Sequence, residues 1–304
     1  MKHNITVISW MACFFLLAQF IGLAVLYQYI DVESSMRTGK TQFRNLELAG
    51  LPLERPQVQE RFSYAYIMGA VLIGTALMLM LIKWPVPWLW KLWFASAIIV
   101  CLSLALAAFI PSTIALAIAA MVAVVKVFRP NWWVQTFTEL FMYAGLAVIF
   151  VPIMNLSSAV ILLFLISLYD AYAVWHSRHM IALAQFQAKE QMFAGLVVPY
   201  EGARVKTTLP PSIVHARQEG HAVRKNPSRI RTAILGGGDI GFPLMFTGVV
   251  LKSWGLVPAG IIPLFATAAL VILFVKGQDG KFYPAMPILS LGCLVGLAVA
   301  RVLL

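Results

Sequence analysis

Long apolar runs dominate this chain, and short polar or charged segments separate them. A helix rises 1.5 Å per residue and needs about 20 residues to cross a hydrocarbon core, so the run lengths count crossings. The first run, 5–29, starts behind Lys2 and ends in LYQYIDVESS. A cleaved leader would have an apolar region of about 7–15 residues and a small-residue cleavage site, so this run reads as a retained first helix. A polar loop over 31–62 follows, holding five acidic and five basic residues. The second span covers 63–82 and stops at Lys83-Trp84-Pro85. The run 92–128 is too long for one crossing, and Pro111-Ser112 divides it into two helices; 137–175 divides in the same way near 152–158. These make spans three to six.

The segment 176–229 is long and basic. Its first part, 180–198, mixes apolar and polar positions (QFQAKEQ), a pattern suited to an interfacial or continuing amphipathic helix. Spans seven, eight and nine follow at 230–251, 255–275 and 284–304. The pattern thus predicts an all-α membrane protein of nine transmembrane helices, one polytopic domain over 1–304 with two principal loops.

Composition agrees: 61% of the 304 residues are hydrophobic and 12% are charged, against roughly 25% charged in soluble domains. Soluble folds are excluded. The net charge of +11 does not imply nucleic acid, because the basic residues fall in loops, where they set topology and meet anionic lipid. Nine spans place 16 Lys and Arg on the N-terminal side, Lys126 among them, and seven on the other. The positive-inside bias therefore puts the N-terminus and the 176–229 loop in the cytoplasm. The 31–62 loop and the C-terminus lie outside. This orientation rests on the nine basic residues of the long loop, without which the two sides are equal. Cys13, Cys101 and Cys293 lie in apolar runs without CxxC or Cys/His spacing and read as core residues. Neither a metal nor a cofactor is implied.

Nine of the twelve acidic residues sit in loops; Glu139, Asp170 and Asp239 do not. A carboxylate at the centre of a membrane helix costs on the order of 2.5–3.5 kcal/mol, so such residues face polar cavities and serve a function. Glu139 lies near the start of its span beside Arg129 and Trp132-Trp133, and reads as an interfacial residue in reach of water. Asp170 precedes the cytoplasmic end of span six, and Asp239 follows the cytoplasmic start of span seven. Both fall roughly 8–14 Å below the surface, so the two carboxylates can meet between these helices. Such a pair suits peptide hydrolysis, one carboxylate activating water and its protonated partner donating to the carbonyl oxygen. It suits a proton relay in an ion channel or proton-coupled transporter equally well.

Two features tip this choice toward proteolysis. Around Asp239 the chain reads AILGGGDIGFPLMF, and Gly236, Gly237 and Gly238 let a peptide backbone approach the acid and permit local unwinding. Span nine opens on Tyr283-Pro284-Ala285-Met286-Pro287, whose prolines cannot donate backbone hydrogen bonds and leave nearby carbonyls free.

In these residues the sequence resembles the presenilin and signal peptide peptidase family of GxGD intramembrane aspartyl proteases, and within it an archaeal presenilin homologue. Tyr169-Asp170 matches the family's Tyr-Asp pair in helix six, and Gly236-Gly237-Gly238-Asp239 its Gly-x-Gly-Asp in helix seven. Pro284-Ala285-Met286 matches its Pro-Ala-Leu in helix nine, with Met for Leu. The resemblance covers the C-terminal half; the first five spans match only in number and hydrophobicity. It implies that Asp170 and Asp239 are catalytic, and that Tyr169, the glycines and Pro284-Ala285-Met286 support the site or engage substrate. It also implies transmembrane-helix proteins as substrates, and residence in a prokaryotic cell membrane in the presenilin orientation. A homo-oligomer is left open, and no accessory subunit is evident.

Overall fold

The computed structural model describes residues 5–83, 87–129, 131–177, 183, 187, 193–200, 231–277 and 283–303. Its helices are α1 (Ile5–Gln28), the short α2 (Val32–Thr38), α3 (Ser63–Lys83), α4 (Pro87–Leu106), α5 (Ser112–Phe128), α6 (Trp132–Phe150), α7 (Leu156–Trp175), α8 (Gly237–Trp254), α9 (Leu256–Lys276) and α10 (Met286–Val302). Among the described residues, α1, α3, α4, α6, α7 and α9 are long and apolar enough to cross a membrane, while α5 and α10 are shorter apolar helices. Large apolar side chains such as Trp88, Phe164 and Leu291 are exposed, as a surface facing lipid requires.

The expected breaks fall where the chain cannot continue a helix. Pro111 separates α4 from α5 and accepts the N–H of Ala115 as the new helix begins. After α6 a single 3₁₀ turn, Val151–Ile153, carries Pro152, and the Asn155 side chain then caps α7 by accepting from Ser158 N at 2.8 Å. Two helices begin earlier than hydropathy places them, α4 at Pro87 and α6 at Trp132. In α6 the polar residues Gln135, Thr136, Thr138 and Glu139 mask the start of the span, yet all four are buried.

α8 is the hub of the bundle, packing against α1, α6, α7, α9 and α10. Phe246 and Leu244 of α8 and Phe15, Met11 and Leu26 of α1 are fully buried in the core. α4 and α6 approach closely because position 145 is glycine: a Cβ there would lie 1.7 Å from the Cys101 carbonyl oxygen.

Among the described residues, three antiparallel ribbons complete the fold. Two belong to the 31–62 loop: β1 (Ile30–Asp31) with β2 (Gln42–Phe43), and β3 (Leu46–Leu48) with β4 (Leu51–Leu53). The third corrects two expectations. Residues 195–198 are not part of an amphipathic helix but lie in β5 (Gly195–Tyr200). Residues 231–236 do not begin span seven but form β6 (Arg231–Gly236). The two pair from Gly195↔Gly236 to Tyr200↔Arg231. The segments LVVPY and RTAIL read equally well as helix ends or strands, and only long-range pairing decides between them. α8 consequently starts at Gly237, and Asp239 stands in its first turn rather than some nine residues inside. The remainder of the 180–198 expectation lies largely outside the described residues.

Candidate active site

Asp170 stands on the face of α7 turned toward α10 and is 6% exposed. Its Oδ2 accepts the backbone N–H of Met286 at 3.0 Å, and the Ala285 N–H also bonds this carboxylate. Both donors belong to the start of α10, where the first N–H groups of a helix have no intrahelical partner. Pro284, Ala285 and Met286 are all buried, so this helix start is pressed into the bundle beside the acid. One turn earlier on α7, Ser167 bonds the Ser290 hydroxyl at 2.8 Å, which ties α7 to α10. The Tyr169 hydroxyl donates to Thr75 Oγ1 at 3.1 Å and links α7 to α3.

Asp239 is the third residue of α8, behind Gly236 as N-cap. Its carboxylate accepts the Gly236 backbone N–H, which is one half of a capping box closed by the acid itself. A side chain at 236 would sit 3.2 Å from Asp239 Oδ2. Pro243, four residues on, lacks the N–H that would bond the Asp239 carbonyl, so the first turn of α8 is held from outside the helix. Gln19 of α1 supplies one such anchor, its amide donating to the Ile240 carbonyl at 3.0 Å. Asp239 is half-buried, and Gly238 beside it is exposed. Only the Phe242 ring, 3.5 Å away, would meet a Cβ at 238. Gly237 is the opposite case, since a Cβ there would lie 2.3 Å from the Tyr143 hydroxyl.

Asp170 and Asp239 stand on α7 and α8, two helices that pack against each other. Asp239 lies in the first turn of α8, and Asp170, in the C-terminal half of α7, faces the first residues of α10, so each carboxylate meets the partial positive charge of a helix N-terminus. Each also accepts backbone N–H groups.

Glu139 is a correction. It is fully buried rather than interfacial. Its Oε1 accepts Lys126 Nζ at 2.6 Å and Gln135 Nε2 at 3.1 Å, and its Oε2 accepts the Tyr143 hydroxyl. Lys126 therefore lies inside the bundle as an ion-pair partner, not in a loop, and drops out of the charge count that sets orientation. Gln135, Glu139 and Tyr143 recur every four residues on α6, a spacing that puts them on one helix face. That periodicity was the available signal for this cluster. For Gln19 it was a lone amide in the middle of an apolar span.

Comparison with known proteins identifies the family and the fold. The family model described as signal-peptide peptidase, presenilin aspartyl protease matches residues 42–304. The chain belongs to that family and is an intramembrane aspartic endopeptidase. No curated protein matches it. Two solved structures, each described as a presenilin family intramembrane aspartate protease, share the fold with a TM-score of 0.60 and 18% identity. One, in space group C222, is matched over 98% of this chain and 99% of the other; the second, in P2, over 97% of both. Nothing in these relationships supports the channel or transporter reading.

Proposed function

We propose that the protein hydrolyses peptide bonds within transmembrane helices of other membrane proteins, with Asp170 and Asp239 as the catalytic pair. The observation that carries this reading is their placement on the packed helices α7 and α8, Asp170 bonded to the start of α10 and Asp239 in the first turn of α8 beside the exposed Gly238. One ionised carboxylate takes a proton from water as the water attacks the scissile carbonyl carbon. The protonated partner donates to the carbonyl oxygen, giving a neutral tetrahedral diol. The first carboxyl then returns its proton to the leaving nitrogen while the ionised partner takes a proton from a diol hydroxyl, which breaks the C–N bond, releases acid and amine, and restores the pair.

A hydrogen-bonded substrate helix hides its carbonyls, so the segment to be cut must unwind locally. Gly238 leaves room for that extended backbone next to Asp239, and the start of α10 at Pro284-Ala285-Met286 borders Asp170. In this reading the chain crosses the membrane nine times, α1 and α3–α10 each once. The N-terminus and the basic 176–229 segment are then cytoplasmic, and the C-terminus is outside. The test is cleavage of a single-span substrate by purified protein in detergent. Asp170→Ala and Asp239→Ala are each expected to abolish cleavage, and persistence of cleavage in either would overturn the dyad.

A further inference from the structure

Glu139 and Lys126 form an ion pair with side chains 0% and 3% exposed, and Lys126 also lies 5.3 Å from the centroid of the Phe94 ring. Replacing a buried pair of this kind with apolar residues of similar volume is often neutral or stabilising. Stability alone is therefore a weak reason to keep it. What the pair holds is more telling. Glu139 Oε1 orients Gln135, whose amide donates to the carbonyls of Phe193 at 2.6 Å and Gly195 at 3.1 Å, where β5 begins. Between those two carbonyls lies that of Ala194, which accepts the N–H of Gly237 at 3.1 Å. Gly237 is the first residue of α8, two before Asp239. From the other side, Glu139 Oε2 fixes the Tyr143 hydroxyl, which occupies the space a Gly237 side chain would need. A polar path thus runs from the Lys126–Glu139 pair through Gln135 and the start of β5 to the turn that carries Asp239, and Tyr143, held by Glu139, packs against the same turn.

We propose that Gln135, Glu139 and Tyr143, anchored by Lys126, are positioning residues for Asp239: they clamp the β5–β6 ribbon to α6 and set the backbone at Gly237, and through it the placement of the carboxylate. This rests on Asp239 being catalytic. Pro243 makes such an outside clamp necessary, since it deprives the first turn of α8 of one of its own hydrogen bonds. The cluster's hydrogen bonds lead to the Gly237 end of α8, so it acts on the chemistry through Asp239.

The experiment measures kcat and KM with a single-span substrate in detergent, together with the Ki of a hydroxyl-bearing transition-state analogue, for Tyr143→Phe and Gln135→Leu. Misplacing a catalytic group by a fraction of an ångström costs on the order of tenfold or more. Both variants are therefore expected to lower kcat about tenfold with KM within about twofold, and to raise the Ki by the same factor as kcat falls. A merely structural role lowers the folded fraction, and so kcat, but leaves the Ki of the folded molecules unchanged. An unchanged Ki in Tyr143→Phe, a substitution that removes a single oxygen, overturns the proposal even if Gln135→Leu fails to fold. Asp170→Asn and Asp239→Asn are assayed in parallel. If either cleaves like the parent, the dyad reading itself falls, whatever the Tyr143 variant does.

Discussion

The carboxylate of Asp170 accepts the backbone N–H of Met286 at 3.0 Å, joining the C-terminal part of one membrane helix to the first residue of another. That contact orients the acid with a main-chain donor, which no side-chain substitution at 286 other than proline removes. It also explains why two prolines flank the start of α10. A stiff helix start presents its unpaired N–H groups at a constant place.

Asp170→Asn separates charge from geometry. The amide oxygen can still accept from Met286, so the thermal midpoint should stay close to that of the parent. Cleavage should fall by about 10²–10⁴-fold, the usual contribution of a positioned acid or base. A variant that is folded and fully active contradicts a catalytic role for Asp170.

Gly145→Ala tests the packing that places α6. The added Cβ would meet the Cys101 carbonyl oxygen at 1.7 Å, and backbone cannot turn aside as a side chain can. α4 and α6 must separate, at an expected cost of about 1–3 kcal/mol, read as a lower melting temperature. Gly238→Ala is the contrasting case. Its Cβ would find only the Phe242 ring at 3.5 Å, an ordinary contact, and the melting temperature should not change.

Lys252→Met should destabilise the opposite end of α8. Lys252 Nζ donates to the Pro152 and Met154 carbonyls at 2.8 and 3.0 Å and to Glu60 Oε1 at 2.7 Å, stitching the 31–62 loop to the turn between α6 and α7. Losing the donor leaves two part-buried carbonyls unpaired, for about 1–3 kcal/mol. Glu60→Gln should cost less than about 1 kcal/mol, because the carboxylate is half exposed and water replaces the pair. Thermal unfolding in detergent of the two variants orders the effects.

Asp31 caps α2, accepting Ser34 N at 3.1 Å and the Ser34 hydroxyl at 2.7 Å. The Ser34 side-chain and backbone hydrogen bonds hold its carboxyl below the ordinary value of 3.8. A depressed value means the folded state favours the ionised form. The stabilisation is complete above the ordinary value and is lost as the pH falls through the lowered one. Hydrogen exchange of the 32–38 amides, corrected for its intrinsic pH dependence, should therefore quicken only in that acid range. Asp31→Ala should exchange faster at neutral pH and show no such step; a step that persists assigns it to another group.

The apolar helices and the principal acids were legible in the sequence because both are local facts. Twenty apolar residues must be a helix in lipid, and Pro111 or Pro152 must interrupt one, whatever else the chain does. Asp170 and Asp239 stood out because a carboxylate in such a helix is costly wherever it points. Glu139 was misread by the same reasoning. Its distance from the end of its span implied contact with water, whereas its stability in the structure comes from Lys126, Gln135 and Tyr143. The β5–β6 ribbon was hidden for a related reason: its register joins Gly195 to Gly236 across 40 intervening positions, and neither strand has a period that distinguishes it from a helix end.

By itself the sequence determined that this chain lives in a membrane, where its helices break, and which carboxylates are out of place. Only the tertiary structure decided that Asp239 opens α8 instead of lying within it, that Asp170 is bonded to the start of α10, and that α6 reaches both the ribbon and Gly237. The division is physical. Hydropathy and backbone stereochemistry act along the chain and can be read from it, whereas pairing of buried polar groups is set by which helices pack together.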